Sequence, residues 1–265
     1  MSAIKRNNVN MRGEGDTAIV FAHGYGCDQT MWRFVAPDFE RDHRTVLFDL
    51  TGNGKSDLES YDFDRYATLD AHAADIVDIA TELDLENAIL VGHSVSAITA
   101  ALAGAQAPER FSRLVMVAPS PCFMNDGDYT GGFAREDIEG LIEFMEQNYL
   151  GWATQLAPTI VGQPAGETPT AELTQSFCRT DPKIARHFGR VTFLSDRRAD
   201  VLATPQPSLV VQCSDDALAP VAVGEWMRDN MQDAKLDILP VTGHCPHMTA
   251  PDLTVSAIRR FLDAA

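Results

Sequence analysis

A serine that could act as a nucleophile lies in the pentapeptide Gly92-His93-Ser94-Val95-Ser96. An apolar run, residues 88–91, precedes it, and a stretch of small residues with helical character, residues 97–103, follows. A strand, a sharp turn and a helix would lift the Ser94 hydroxyl above the edge of a sheet. A serine hydroxyl is a poor nucleophile unless a base takes its proton, and the base needs a third group to orient it. The chain must therefore supply a histidine and an acid.

The histidine and the acid both have candidates in the last fifth of the chain. His244 and His247 follow a predicted strand, and His244 is favoured because it comes directly after that strand and a glycine. A zinc pair is the alternative for these histidines, but the sequence offers no further ligands. Asp215 and Asp216 both follow an earlier predicted strand. One should orient the His244 ring and the other could cap the next helix, and their spacing alone does not separate them.

An oxyanion formed during acyl transfer needs two preorganised donors. The elbow geometry assigns one to the backbone N–H of Val95. The second should come from the loop after the first strand, residues 23–26, where the N–H of Tyr25 is the candidate. His23 and His93 are expected to be structural. His72 and His187, in helical patterns, are expected to be surface residues or to have hydrogen-bond partners.

The elements that must position these residues alternate along the chain. This alternation predicts a mostly parallel sheet covered on both faces, and with the order Ser, Asp, His it predicts an α/β-hydrolase fold. Residues 124–198 interrupt the alternation with helical patterns and no clear strand, so we interpret them as a helical lid inserted into a core of residues 1–123 and 199–265. Strands are predicted at 18–21, 46–48, 88–91, 113–117, 208–212 and 236–239, and helices at 69–83, 221–231 and 253–262.

Charge and composition restrict the partners. A formal net charge of -17 over 265 residues disfavours binding to nucleic acid or an anionic membrane, and it favours a neutral substrate. Five scattered cysteines without a CxxC pair predict reduced thiols in a cytoplasmic protein. The N-terminus lacks the apolar stretch of a signal peptide, and no run is long enough to span a bilayer. No dinucleotide or phosphate-loop motif is complete, so no cofactor and no metal are expected.

Several strings resemble the RsbQ family of bacterial stress-regulator hydrolases, whose relatives include the plant karrikin and strigolactone receptors. The likeness runs from about Arg6 to the C-terminus and includes the lid. The strings that carry it are Gly24-Tyr25-Gly26-Cys27-Asp28-Gln29-Thr30-Met31-Trp32, Gly92-His93-Ser94-Val95-Ser96-Ala97, Pro119-Ser120-Pro121-Cys122, Gly131-Gly132-Phe133, Asn148-Tyr149-Leu150-Gly151-Trp152-Ala153 and Gly243-His244-Cys245-Pro246-His247.

The resemblance implies a triad of Ser94, Asp216 and His244, because the family's Asp lies four positions before a proline, as Asp216 does here. It also implies oxyanion donors at Tyr25 and Val95 and a V-shaped lid of four helices over an apolar pocket. The matching pocket positions are Phe123, Phe133, Trp152, Leu194 and Leu218. Their alternative role is ordinary packing of the lid on the core.

The residues and the resemblance together predict two alternative functions. The first is hydrolysis of small neutral apolar esters or lactones, such as butenolides, by a monomer. The second is a signalling role of the RsbQ type, in which ligand binding or slow hydrolysis activates a PAS-type phosphatase partner. Two positions depart from the family pattern: Ser96 replaces the glycine of bacterial RsbQ, as in the plant receptors, and Tyr25 replaces the usual phenylalanine.

Overall fold

A twisted sheet forms the centre of the protein, whose computed structural model describes residues 1–264. Within those residues the sheet has seven strands in the order β1-β3-β2-β4-β5-β6-β7. All neighbours are parallel except β1, which runs antiparallel to β3. The strands are β1 Asn10–Arg12, β2 Ala18–Ala22, β3 Arg44–Leu47, β4 Ala88–His93, β5 Phe111–Val117, β6 Ser208–Asp215 and β7 Ala234–Thr242.

The six predicted strands are all present, and β1 is the one that the sequence did not indicate. Every residue of β2 and β4 is buried, which requires cover on both faces of the sheet and explains their continuous apolar runs. All three residues of β1 are exposed, and two of them are polar. A short exposed edge strand therefore leaves no hydrophobic pattern to detect.

Helices connect the strands and pack on the sheet. The predicted helices at 69–83, 221–231 and 253–262 correspond to the helices Asp70–Glu82, Val221–Asn230 and Pro251–Asp263. Every end agrees within two residues. The core helices are α1 Ala3–Arg6, α2 Asp70–Glu82, α3 Val95–Gln106, α8 Arg198–Leu202, α9 Val221–Asn230, α10 Pro246–Thr249 and α11 Pro251–Asp263. No helix in residues 1–264 combines the length and the apolar character that crossing a bilayer requires.

Of the five α-helices between β5 and β6, the first four lie inside the segment interpreted as a lid. They are α4 Arg135–Gln147, α5 Tyr149–Val161, α6 Thr168–Arg179 and α7 Pro182–Leu194. In α4 the buried residues are Ile138, Ile142 and Met145, a spacing that places them on one helical face. These helices therefore follow the carboxyl end of a central strand, at the sheet edge where open α/β folds bind ligands.

Candidate active site

Ser94 follows the last residue of β4 and precedes α3. Its backbone has φ 56 and ψ -123, a conformation that non-glycine residues rarely adopt and that is held here by the strand and the helix on either side. Its side chain lines a small cavity under the lid helices. The predicted elbow is therefore present, and it directs the hydroxyl away from the sheet.

His244 connects the serine to an acid. Its Nε2 lies 2.8 Å from Ser94 Oγ, and its Nδ1 lies 2.7 Å from Asp216 Oδ2. A carboxylate can only accept, so Nδ1–H donates to Asp216 and the Nε2 lone pair faces the serine hydroxyl. All three residues are buried. The structure thus brings together the three residues that the sequence proposed as a triad.

Asp216 rather than Asp215 orients the histidine ring. Burial acts to raise the pKa of the Asp216 carboxyl, but the facing His244 and the N–H groups of Leu218 and Ala219 hold that pKa below its usual value. Asp215 is exposed, and its carbonyl accepts from the Gly243 N–H at 2.7 Å. The suggestion that the second aspartate caps the next helix is wrong, because α9 has no side-chain cap.

The histidine loop lies against the lid as well as the sheet. The His244 N–H donates to the carbonyl of Ile160 in α5 at 2.6 Å. Gly243 has φ +100, and a Cβ there would lie 2.1 Å from the Val161 carbonyl oxygen. Only glycine allows this approach, so the Gly-His sequence is required by the close contact between loop and lid.

One expected oxyanion donor, Val95, directly follows Ser94, and the other, Tyr25, belongs to the cavity wall. Val95 is the first residue of α3, where backbone N–H groups have no acceptor within the helix. Tyr25 lies in the loop after β2 and lines the cavity with Ser94. The Tyr25 hydroxyl donates to the carbonyl of Ala185 in α7 at 2.8 Å, and its ring contacts Trp152 edge-on. A phenylalanine could not form this bond, so Tyr25 adds a polar link between loop and lid.

Ser96 also has a structural role that the sequence did not reveal. It is fully buried, and its hydroxyl donates to the carbonyl of His23 at 2.5 Å. The bond joins the start of α3 to the end of β2, beside the loop that carries Tyr25. A glycine at this position would leave that carbonyl without this donor.

The other histidines differ in how many ring nitrogens have partners, and both nitrogens of His247 and Nδ1 of His93 are buried without one. His23 accepts from the Leu50 N–H at 2.9 Å, and the His93 Nε2–H donates to the carbonyl of His244 at 2.8 Å, as expected of structural residues. His187 contacts the Tyr61 hydroxyl. The expectation for His72 is wrong, because it is fully buried and both ring nitrogens lack a partner. Burial lowers its pKa to about 3.

The cavity beside Ser94 is small and aromatic. Its volume is about 30 Å³, enough for roughly two water molecules. Of the predicted pocket residues, Phe123, Trp152 and Leu218 line it. Further lining residues that the sequence did not single out are Cys27, Ile160, Leu173, Phe177, Thr192, Phe193 and Cys245. A substrate with more than a few heavy atoms therefore requires the lid side chains to move.

Two predicted pocket residues lie outside the cavity. Leu194 ends α7 and lines a surface depression with Thr68 and Arg197. Its neighbour Phe193 faces the cavity instead, because adjacent helical residues point about 100° apart. Phe133 precedes α4 and packs on the core, with its N–H bonded to the Phe123 carbonyl. Contrary to the prediction, the structure therefore does not place Leu194 and Phe133 in the pocket.

Two cysteines line the cavity, and a metal site would need a cluster of ligating side chains. Within residues 1–264, His, Cys, Asp and Glu side chains form no group of three or more that could hold a metal ion. The buried thiols of Cys27 and Cys245 line the cavity, and burial raises the pKa of both. Neither thiol is therefore suited to act as a thiolate beside Ser94.

The geometry agrees with comparisons to known proteins. The sequence model of the Alpha/beta hydrolase family matches residues 19–257. The chain belongs to the α/β-hydrolase family. This α/β-hydrolase also resembles a solved hydrolase from Oleispira antarctica, with a TM-score of 0.95, 42% identity, and coverage of 99% of this chain and 97% of the other.

Two plant relatives cover almost the whole α/β-hydrolase. Strigolactone esterase D14 of Arabidopsis thaliana is 36% identical over 96% of each chain. Karrikin insensitive 2 receptor IA of Petunia hybrida is 34% identical over 96% of this chain and 93% of its own. These similarities agree with the resemblance to RsbQ-like hydrolases. They support an esterase or hydrolase activity for the family member described here.

Proposed function

We propose that this α/β-hydrolase cleaves small, neutral, apolar carboxylic esters or lactones through Ser94, His244 and Asp216. The observation that carries the proposal is the continuous hydrogen-bonded chain from Ser94 Oγ through His244 to Asp216. It joins a hydroxyl, a base and an orienting carboxylate in the arrangement that acyl transfer requires.

In the proposed first step, Ser94 Oγ attacks the substrate carbonyl carbon while His244 Nε2 takes the hydroxyl proton. The backbone N–H groups of Val95 and Tyr25 stabilise the negative charge that develops on the carbonyl oxygen. The carbon–oxygen bond to the leaving alcohol then breaks, and His244 returns its proton to that oxygen. An acyl group remains on Ser94.

In the second step, His244 takes a proton from water, and the resulting hydroxide attacks the acyl carbon. The bond to Ser94 Oγ breaks, the serine regains a proton from His244, and the acid leaves. Asp216 remains a carboxylate throughout, because its role is to fix the ring and stabilise the imidazolium. Its lowered pKa supports that role.

The substrate class follows from the lining and the charge. Aromatic and aliphatic side chains surround Ser94, and the net charge of -17 disfavours anionic substrates. A butenolide, a small unsaturated lactone, meets these requirements. The name of the Arabidopsis relative, a strigolactone esterase, adds support from similarity.

Turnover of a fluorogenic acetate ester and of a butenolide tests the proposal. Ser94→Ala should abolish turnover of both, while Ser120→Ala should retain it. Ser120 is a matched control because it is a buried serine outside the cavity, bonded to the Cys122 carbonyl. Turnover that survives in Ser94→Ala would contradict the proposed mechanism.

A signalling role is the second candidate. The observation that favours it is the small size of the cavity, about 30 Å³, since a ligand of more than a few heavy atoms must displace lid side chains and so alter the surface that the lid presents. Relatives named as receptors point the same way. The proposed partner is a PAS-type phosphatase. Stimulation of that phosphatase should require ligand. If Ser94→Ala still stimulates the phosphatase but has lost turnover, signalling does not need hydrolysis.

A further inference from the structure

A polar groove lies outside the cavity, between α6 and the segment that follows β2. Its volume is about 320 Å³, and seven of its eleven lining residues are polar or charged. Cys27 and Leu173 line both the groove and the cavity. The two spaces are therefore separated by a wall only one side chain thick. A larger depression, about 480 Å³ beside Leu194, shares no lining residue with the cavity.

Leu173 forms the part of this wall that belongs to the lid. It lies in α6 and is 2% exposed. Phe177, one turn later, also faces the cavity. Glu172 and Ser176 on the adjacent face of α6 line the groove. A rotation or shift of α6 would therefore move Leu173 and connect the groove to Ser94.

Contacts between α6 and the segment 26–33 combine packing of the Phe177 ring on Gly26 with polar pairs that are partly exposed. Glu172 pairs with Arg33 at 2.5 Å, with side chains 39% and 36% exposed. Arg179 lies 3.7 Å from Asp28. The Ser176 hydroxyl donates to the carbonyl of Gly26 at 2.8 Å. Exposed ion pairs of this kind contribute little to stability and weaken in salt.

Buried hydrogen bonds join two other lid helices, α5 and α7, to the core. The carbonyl of Ile160 in α5 accepts from the His244 N–H, and the carbonyl of Ala185 in α7 accepts from the buried Tyr25 hydroxyl. Both bonds are removed from solvent. The ion pairs of α6 are more exposed than these two bonds and therefore easier to break, so this seam is where the lid separates most readily from the core.

We propose that substrate reaches Ser94 through the seam between α6 and residues 26–33, and that Leu173 is the side chain that closes this entrance. The inference rests on the proposed function. The groove outside then receives the leaving alcohol, while the acyl group occupies the apolar cavity. Because its acidic and basic side chains are paired, the groove suits a neutral alcohol that carries hydrogen-bonding groups.

The size of Leu173 should decide which alcohols are accepted. Leu173→Ala should raise kcat/KM for 4-methylumbelliferyl acetate, relative to the smaller 4-nitrophenyl acetate, by about tenfold. Leu156→Ala is the control, because Leu156 is a half-buried lid leucine that lines neither space. An unchanged ratio in folded Leu173→Ala, or an equal change in Leu156→Ala, would overturn the entrance.

A second variant tests the seam without touching the buried wall. Ser94 is sulfonylated by phenylmethylsulfonyl fluoride, a neutral reagent, and the rate is followed by intact mass. Glu172→Gln removes the Arg33 ion pair and should raise the rate about threefold at low salt. Added salt should accelerate wild type and leave Glu172→Gln unchanged. Equal rates at low salt would overturn the proposal, even if Leu173→Ala failed to fold.

The same measurements distinguish a failure of the proposed entrance from a failure of the proposed function. If wild type shows turnover that depends on Ser94 but neither variant has its expected effect, the entrance is wrong and the hydrolase stands. If wild type shows neither turnover nor sulfonylation at Ser94, the proposed function fails and the entrance with it.

Discussion

Replacing His72 with phenylalanine should make the protein less sensitive to acid. His72 is fully buried, its ring nitrogens have no partners, and aromatic rings of Tyr66 and Phe188 lie 4.7 Å and 4.5 Å from its own. Burial, aided by nearby cationic groups, lowers its pKa from 6.5 to about 3. The folded protein therefore holds this imidazole neutral at pH values where the unfolded chain binds a proton.

The sign and size of the effect follow from linkage. Below pH 6.5 the unfolded state binds one more proton at this site, so the free energy of unfolding falls as the pH falls, down to a pH of about 3. Between about pH 7 and about pH 5, the loss from one such histidine is about 2 kcal/mol. The pKa of His93, also buried, is lowered to about 3 as well, and it adds a similar loss.

Urea unfolding at the two pH values measures this directly. Wild type should lose at least about 4 kcal/mol from His72 and His93 together, and His72→Phe should lose about 2 kcal/mol less than wild type. At neutral pH the variant should stay within about 1 kcal/mol of wild type, because an aromatic ring fills the same space. If the free energy of unfolding falls equally in His72→Phe and wild type between the two pH values, His72 is not the source of the acid sensitivity.

Three further substitutions test the site. Asp216→Asn should lower kcat by about 10⁴-fold without unfolding the protein, because the ring of His244 loses its orienting carboxylate; steady-state kinetics and circular dichroism check both halves. Tyr25→Phe should lower the free energy of unfolding by about 1 kcal/mol through loss of one buried hydrogen bond, measured by urea titration. Gly24→Ala should reduce kcat or prevent folding, since its Cβ would lie 2.5 Å from Nδ1 of His93; wild-type kinetics in this variant would contradict the packing.

The chain order of the functional elements could be predicted because each is local. A buried strand, a turn and a small-residue helix placed Ser94, and β7 followed by glycine placed His244. The lid segment was indicated by the break in strand–helix alternation. The exposed edge strand β1 could not be predicted, because pairing with β3 rather than its own pattern defines it.

Choices between adjacent residues depended on tertiary contacts. Asp215 and Asp216 share one strand end, and only the positions of the His244 ring and the following turn distinguish them. Leu194 and Phe193 are both apolar, so the rotation of α7 against the core decides which one faces the cavity. The resemblance implied Asp216, which lies against His244, but it also implied Leu194 in the pocket, where the structure has Phe193.

The proposed mechanism requires a covalent acyl intermediate on Ser94. Acid quenching during the first turnovers of 4-nitrophenyl acetate, followed by peptide mapping with mass spectrometry, tests this claim directly. The mechanism predicts an acetyl group on Ser94, which is absent in Ser94→Ala and longer-lived in Asp216→Asn. An acetyl group on another residue, or turnover by Ser94→Ala at the wild-type rate, would contradict it.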